Sequence, residues 1–533
     1  MQIVDVHIHP DNWENLAAPT AMAELMLQHM NRFDVSVSGI LGVVDPGQSA
    51  QEVTKSNDQT RQTVQAAPDR LYGLCFVNPA LTGTEVKAEL DRCLAQPEFR
   101  GIKLEFDLHC RDPKMSVVME AAIQYNVPVL HHTWYINLWD YPNPERQKNR
   151  SESHDVAWLA RRYPEARIVM AHMEGSEFRG ILDVEDCPNV WIDTSGAQPF
   201  TGCLEYAVSR IGADRILYGS DLFGRSLHSQ LGRIYGAKIP ESARTKILGE
   251  NAIKFYGLED FYSIDAPLPL PITLSSDEDK QAGLLDVNAS WGQWPLRDFP
   301  YPDLDAFEST LKQAGIRAAW LSSIKAVYAP MTEAADASLQ EELSDRKFFS
   351  FIKTVNPLLA NWRAECEASL KQPGAPVALR LVPNFHNYEL ELAADEVAAF
   401  ALDNKLLILI QVRMNDERNQ PVFMQIKATP VASITAFSKK FPTLKVIALC
   451  ASSGELTALS EGSDQLAVET SFLDGHDPLE VAIGKMGAQR VLFGSHAPFI
   501  YPESASLKFT HSGASEKDKI IEASHQLFGN KIE

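Results

Sequence analysis

The chain has 533 residues, 45% apolar and 22% charged, which is more than one hydrophobic core usually holds, so two soluble globular domains are expected. A formal net charge of −21 argues against binding to nucleic acid or an anionic membrane, and no apolar run approaches the ~20 residues that span a bilayer. Seven cysteines without CxxC spacing, and a start without basic or apolar leader regions, point to a reduced, cytoplasmic protein.

The chain opens on Ile3-Val4-Asp5-Val6-His7-Ile8-His9, an apolar strand pattern that ends in a His-x-His pair before Pro10. Residues i and i+2 of a strand share a face, about 6.5–7 Å apart, so both imidazoles point the same way. Further apolar runs at 36–44, 71–77, 100–106, 127–132, 167–172, 189–194 and 215–220 alternate with helical patterns at 17–32, 51–67, 84–95, 114–126 and 154–163. Eight near-continuous apolar strands alternating with helices predict a (β/α)8 barrel over residues 1–262. An open doubly wound sheet is the alternative, but no glycine-rich phosphate loop follows any strand.

Residues 263–283, rich in proline and then in serine and acidic side chains, read as a linker. Residues 284–533 then repeat the first part. Leu284 to Ser290 echoes Ile3 to His9, Val355-Asn356-Pro357 echoes Val77-Asn78-Pro79, Arg380 to His386 echoes Lys103 to His109, and Gly487 to Ser495 echoes Gly212 to Ser220. Four matches in one order at similar spacing imply a tandem duplication and a second (β/α)8 barrel.

Functional side chains of such barrels sit at the C-terminal strand ends. There the first half places His7 and His9 (strand 1), His132 (strand 5), His172 (strand 6) and Asp221 (strand 8). Each alone has an ordinary reading as a core histidine or a helix cap. Five together at strand ends point to a borderline divalent ion.

The segments DVHIHP, VPVLHHTW, IVMAHMEG and RILYGSD resemble the signatures of the metal-dependent amidohydrolase superfamily, in the branch that includes decarboxylases of the aminocarboxymuconate-semialdehyde type. The resemblance covers nearly all of residues 1–260. It implies His7, His9, His132 and Asp221 as metal ligands, and His172 as the histidine that polarises substrate or shuttles a proton. In two-metal relatives that histidine is a ligand. A bound ion would acidify its water to about 7, and Asp221 would accept the proton.

Lys103 and Glu105 share a strand face and are candidates for a second metal or for substrate, with His172 and His109; one ion per chain is favoured, Zn²⁺ first and Mn²⁺ second. His131 should face away from His132. The loop at about 133–153 carries Trp134, Tyr135, Trp139 and Tyr141; Trp134 and Tyr135 are candidate substrate contacts, against the plainer reading of a packed loop. Arg225 suits a substrate carboxylate, with a structural ion pair equally compatible.

At the matching positions the second half has Asn288, Ser290, Gln411, Cys450 or Ala451, and His496. Neutral oxygen donors do not replace imidazole at such a site, so this half should be a barrel without the metal chemistry. His496, His386 and Glu469 offer a new site in principle. The expected function is metal-dependent hydrolysis of an amide, lactone or ester in a small metabolite. A lyase (decarboxylase or hydratase) is the first alternative, and a non-enzymatic binding or scaffold protein the second. A small-molecule substrate is the expected partner, and a homo-oligomer is compatible.

Overall fold

A computed structural model describes residues 2–10, 18–42, 47–134, 148–173, 177–196, 198–261, 283–417, 420–421, 424 and 426–528. The expected linker therefore lies, but for Gly283, outside the described residues, as do Tyr135, Trp139 and Tyr141. The chain divides into two compact units, Met1–Gln198 with Cys203–Ile272, and Pro199–Gly202 with Thr273–Glu533.

In the first unit β1 (Ile3–Ile8), β2 (Val35–Leu41), β3 (Leu71–Phe76), β4 (Phe99–Leu104), β5 (Val129–His131), β6 (Ile168–Met170), β7 (Val190–Asp193) and β8 (Ile216–Leu217) form one parallel sheet in sequence order. The sheet closes on itself. Val6 N–H donates to Tyr218 O at 2.9 Å, Asp221 N–H to His7 O at 2.8 Å and His9 N–H to Leu222 O at 2.6 Å.

Helices fill the intervals where the apolar period lengthens. Ser49 and Glu52 form a capping box that starts helix Ala50–Ala66, and Thr82 with Glu85 does the same for Gly83–Leu94. A buried cluster draws on six of the strands through Val4, Val37, Leu74, Leu130, Val169 and Leu217, and includes Phe255 and Leu258. Each such side chain contributes about 1.5–3 kcal/mol of burial, which holds the strand ends in place.

The second unit repeats the plan with β9 (Leu284–Trp291), β10 (Ile316–Ser323), β11 (Phe349–Val355), β12 (Ala378–Leu381), β13 (Leu407–Gln411), β14 (Val446–Leu449), β15 (Leu466–Glu469) and β16 (Val491–Leu492). Its closing bonds fall at the same places: Val287 N–H to Phe493 O, His496 N–H to Asn288 O and Ser290 N–H to Ala497 O. The fold is thus two tandem (β/α)8 barrels. All seven cysteines are unpaired and buried. Among the described residues no helix is long and apolar enough to cross a membrane.

Candidate metal centre

His7 and His9 leave β1 on one face, and their Nε2 atoms come to 3.1 Å of each other. Asp221 Oδ1 stands 3.4 Å from His9 Nε2 and 3.8 Å from His7 Nε2. Asp221 reaches this point from a left-handed backbone (φ 62°) four residues after β8. Gly219 allows the close approach, because a methyl group there would lie 2.9 Å from His7 Cβ.

The other ring nitrogens fix the tautomers. His9 Nδ1 lies 3.2 Å from Leu41 O, which only accepts, so that nitrogen carries the proton. His7 Nδ1 lies 2.8 Å from Asp193 Oδ2. With both protons on Nδ1, two lone pairs and a carboxylate oxygen face one another across a few ångströms. That arrangement repels itself unless a cation joins it, and two imidazoles with one carboxylate suit a divalent ion that keeps open positions.

His172 also has a left-handed backbone (φ 66°) and lies almost wholly buried two residues past β6. Its ring centroid is 4.9 Å from His7 and 4.5 Å from His132, and its Nε2 is 3.1 Å from His132 Nδ1. Among the described residues the two groups whose ligand atoms all lie within 4.8 Å are His7, His9 and Asp221, and His7, His172 and Asp193. His132 belongs to neither group and meets them through His172.

Lys103 and Glu105 do point inward together. Lys103 Nζ is 2.7 Å from Glu105 Oε1, and Glu105 Oε2 is 3.3 Å from His132 Nδ1. Lys103 is thereby committed to a buried ion pair. His109 is drawn elsewhere, 3.3 Å from Asp155 on helix Ser153–Arg162 and more than a third exposed. His131 is buried, with Nδ1 2.7 Å from His132 O. Arg225 is half-buried; its backbone N–H donates to Asp221 O at 2.7 Å, and its charge acts on the Asp221 carboxylate.

The wall of the site is aromatic. Phe106 packs edge-on to His132 at 4.2 Å, and Trp134, nearly buried, stacks along His132 at 6.4 Å and leans on His172 at 5.3 Å. Burial dominates the local electrostatics. It pushes the Asp221 carboxyl up to about 7, against the pull of Arg225 and Lys103. Burial, then the charge of Lys103, pushes His9 down to about 4, and burial holds His7 and His172 well below the usual imidazole range. Glu105 goes the other way: although burial opposes it, His132 and Lys103 hold it well below the usual carboxylate range.

Three supporting residues escaped the sequence reading. Asp5 Oδ1 accepts the backbone N–H groups of His7 (3.1 Å) and Ser220 (2.9 Å), tying β1 to the β8 end. Asp193, the last residue of β7, and Ser195, two residues on, hold His7 and His172. The signal for the last two was the acid-Thr-Ser triplet that both halves carry, Asp193-Thr194-Ser195 and Glu469-Thr470-Ser471.

The second barrel keeps this frame. Asp286 accepts from Asn288 and Ser495 as Asp5 does from His7 and Ser220, and Glu469 takes the place of Asp193. The left-handed backbone recurs at Cys450 (φ 58°) and His496 (φ 54°), which makes Cys450, rather than Ala451, the counterpart of His172. His386 bonds Ala326 O and His496 bonds Met414 O, so neither joins Glu469 in a ligand group among the described residues. Arg380, fully buried, extends its guanidinium among Ser290, Ser322 and Gln411.

Residues 4–258 match the sequence model of the amidohydrolase family. Among solved structures the chain is similar to 5-carboxyvanillate decarboxylase from Sphingomonas paucimobilis, with 16% identity over 48% of this chain and 99% of that one and a TM-score of 0.40. It is similar to 2,6-dihydroxybenzoate decarboxylase from Rhizobium, with 18% identity over 48% and 99% and a TM-score of 0.39. It is also similar to a dihydroxybenzoic acid decarboxylase from Polaromonas that holds manganese and the inhibitor 2-nitroresorcinol, with 18% identity over 48% and 97% and a TM-score of 0.39.

Proposed function

We propose that the first barrel, whose residues 4–258 match the amidohydrolase family model, is a metal-dependent lyase removing CO2 from a small, planar carboxylic acid. The observation that carries this reading is the largely buried, aromatic-walled setting of the candidate centre. Phe106, Trp134 and His172 are each less than a tenth exposed, and burial is the leading cause of the shifts at His7, His9, His172 and Asp221. Loss of CO2 disperses a localised carboxylate charge, so a site that strips water from that group favours the reaction. Flat rings on one side suit a conjugated substrate.

His7, His9 and Asp221 would hold the ion, Zn²⁺ or Mn²⁺, with His132 close by. The ion supplies Lewis-acid polarisation of substrate oxygens. Arg225, beside Asp221, orients the substrate carboxylate. Asp221 stands where it can relay the proton that replaces CO2 on carbon, so that R–COO⁻ and H⁺ give R–H and CO2. His172, neutral and buried, accepts from a substrate hydroxyl. Hydrolysis is the second reading, favoured by a carboxylate beside the His-x-His pair that could take a proton from water.

The separating experiment incubates metal-loaded protein with a panel of hydroxylated aromatic and dienoic acids, and separately with amides, esters and lactones, recording CO2 release. CO2 in step with loss of an acid is the expected result. Cleavage of an amide, ester or lactone without CO2 would overturn the lyase reading and install hydrolysis.

A further inference from the structure

Asp193 makes four hydrogen bonds at the end of β7. Oδ1 accepts the backbone N–H of His172 at 3.0 Å, the backbone N–H of Ser195 at 3.0 Å and the Ser195 hydroxyl at 2.5 Å. Oδ2 faces His7 Nδ1 at 2.8 Å. Ser195 Oγ spends its proton on Asp193, so it receives from ring nitrogens: His172 Nδ1 at 2.9 Å and His7 Nδ1 at 3.1 Å. All of these groups are fully or almost fully buried.

Part of this arrangement is scaffold. In the second barrel Glu469 bonds Cys450 N–H and Ser471 N–H, each at 2.6 Å, and the Ser471 hydroxyl at 2.8 Å, although no imidazole is left to serve. There its remaining contact is with the Asn288 amide, at 3.0 Å. The bonds to backbone therefore belong to the fold. The bonds to ring nitrogens exist only where histidines do.

We propose that Asp193 and Ser195 are positioning residues that lock the tautomers of two site histidines: Asp193 directly at His7, and Asp193 through Ser195 at His172. An acceptor at His7 Nδ1 keeps the proton there and leaves Nε2 bare toward His9 and Asp221. The Ser195 oxygen does the same at His172, whose Nε2 then faces His132 as a lone pair. Without the lock, either ring places its proton on Nε2, where it blocks an incoming cation or substrate hydroxyl. This inference rests on the metal-centre reading for its consequence, though the tautomers themselves need no metal.

The test uses the full chain with Asp193→Asn, Asp193→Glu and Ser195→Ala. In Asp193→Asn the amide oxygen satisfies the three donors now on Oδ1, which turns the amide N–H toward His7 Nδ1. In metal-free protein, ¹⁵N chemical shifts of the imidazoles should show His7 and His172 protonated on Nδ1, and His7 switched to Nε2 in Asp193→Asn. The Mn²⁺ dissociation constant of that variant should rise 10–100-fold. Ser195→Ala should switch His172 alone and leave Mn²⁺ affinity unchanged. Asp193→Glu, carrying the second barrel's residue, should keep His7 protonated on Nδ1, and it decides the matter if Asp193→Asn fails to fold. Nε2 protonation of His7 in the unaltered protein, or Mn²⁺ binding by folded Asp193→Asn as tight as in the unaltered protein, overturns the proposal. Failure of the unaltered protein to bind Mn²⁺ or Zn²⁺ overturns the metal-centre reading instead, and the ring shifts still decide the lock.

Discussion

Arg380 in β12 donates from Nε and Nη2 to a single oxygen, Gln411 Oε1, at 3.2 and 2.6 Å. Nη1 reaches Ser322 Oγ at 2.7 Å and Ser290 Oγ at 3.5 Å. Gln411 and Ser290 stand where the first barrel has His132 and His9, and Val382 stands where Glu105 pairs with Lys103. The second barrel thus holds a covalently attached cation, coordinated by neutral oxygens, at the counterpart of the candidate metal centre. Planar guanidinium geometry suits this, since one group spans three side chains at once.

Arg380→Met should therefore destabilise the protein by about 3 kcal/mol, because buried oxygens of Gln411 and the two serines lose their donors. Arg380→Lys should recover only part of that, since an ammonium lacks the fork. Denaturant unfolding followed by circular dichroism checks both. An Arg380→Met protein as stable as the unaltered one would strip the guanidinium of this role.

Asp221→Asn keeps the shape of the side chain and removes its charge. Turnover should fall by about 10²–10⁴-fold, the usual share of a positioned acid–base group. Steady-state kinetics at saturating metal, with thermal unfolding to establish the fold, is the check. Near-normal turnover would take Asp221 out of the chemistry.

His9→Ala and His496→Ala form a contrasting pair. His9 Nε2 faces His7 and Asp221, whereas His496 Nε2 is turned to Met414 O at 2.9 Å. The first substitution should eliminate bound metal and turnover. The second should leave metal content unchanged and turnover largely so. Elemental analysis beside activity decides, and metal loss in His496→Ala would mean that catalysis depends on the second barrel's centre.

Metal affinity should depend on pH through one group. Asp221 lies at about 7 and must lose its proton to serve as a ligand, whereas His9, at about 4, is already neutral throughout that range. Protons therefore compete below pH 7, and affinity at pH 6 should be about tenfold weaker than its alkaline plateau, with a further tenfold for each unit below. Mn²⁺ titrations across this range test it. A flat profile would show that no titrating carboxylate is among the ligands.

Both barrels were legible in the chain because the strands of the first half are largely apolar runs and the repeat preserves Asp286, Gly494 and their surroundings in order. The His7 and His9 pairing followed from strand alternation, and so did the inward turn of Glu105 with Lys103. His109 misleads because an apparent strand-end position continues into a turn that reaches Asp155 instead. Asp193 was hidden for another reason. Its partner His7 is 186 residues away, and the acid-Thr-Ser triplet that Asp193 shares with Glu469 marks a repeated position without naming a histidine partner. Arg380 was hidden too, since an exchange of lysine for arginine gives no hint that the new side chain reaches Ser290, Ser322 and Gln411 at once.

The left-handed turns at His172 and Asp221 persist at Cys450 and His496. Their geometry therefore does not depend on the side chain displayed. Guanidinium and metal nevertheless exclude each other, because two cations cannot share one ring of donors. Rebuilding a centre in the second barrel would accordingly have to begin at position 380, with imidazoles restored only after the arginine has gone.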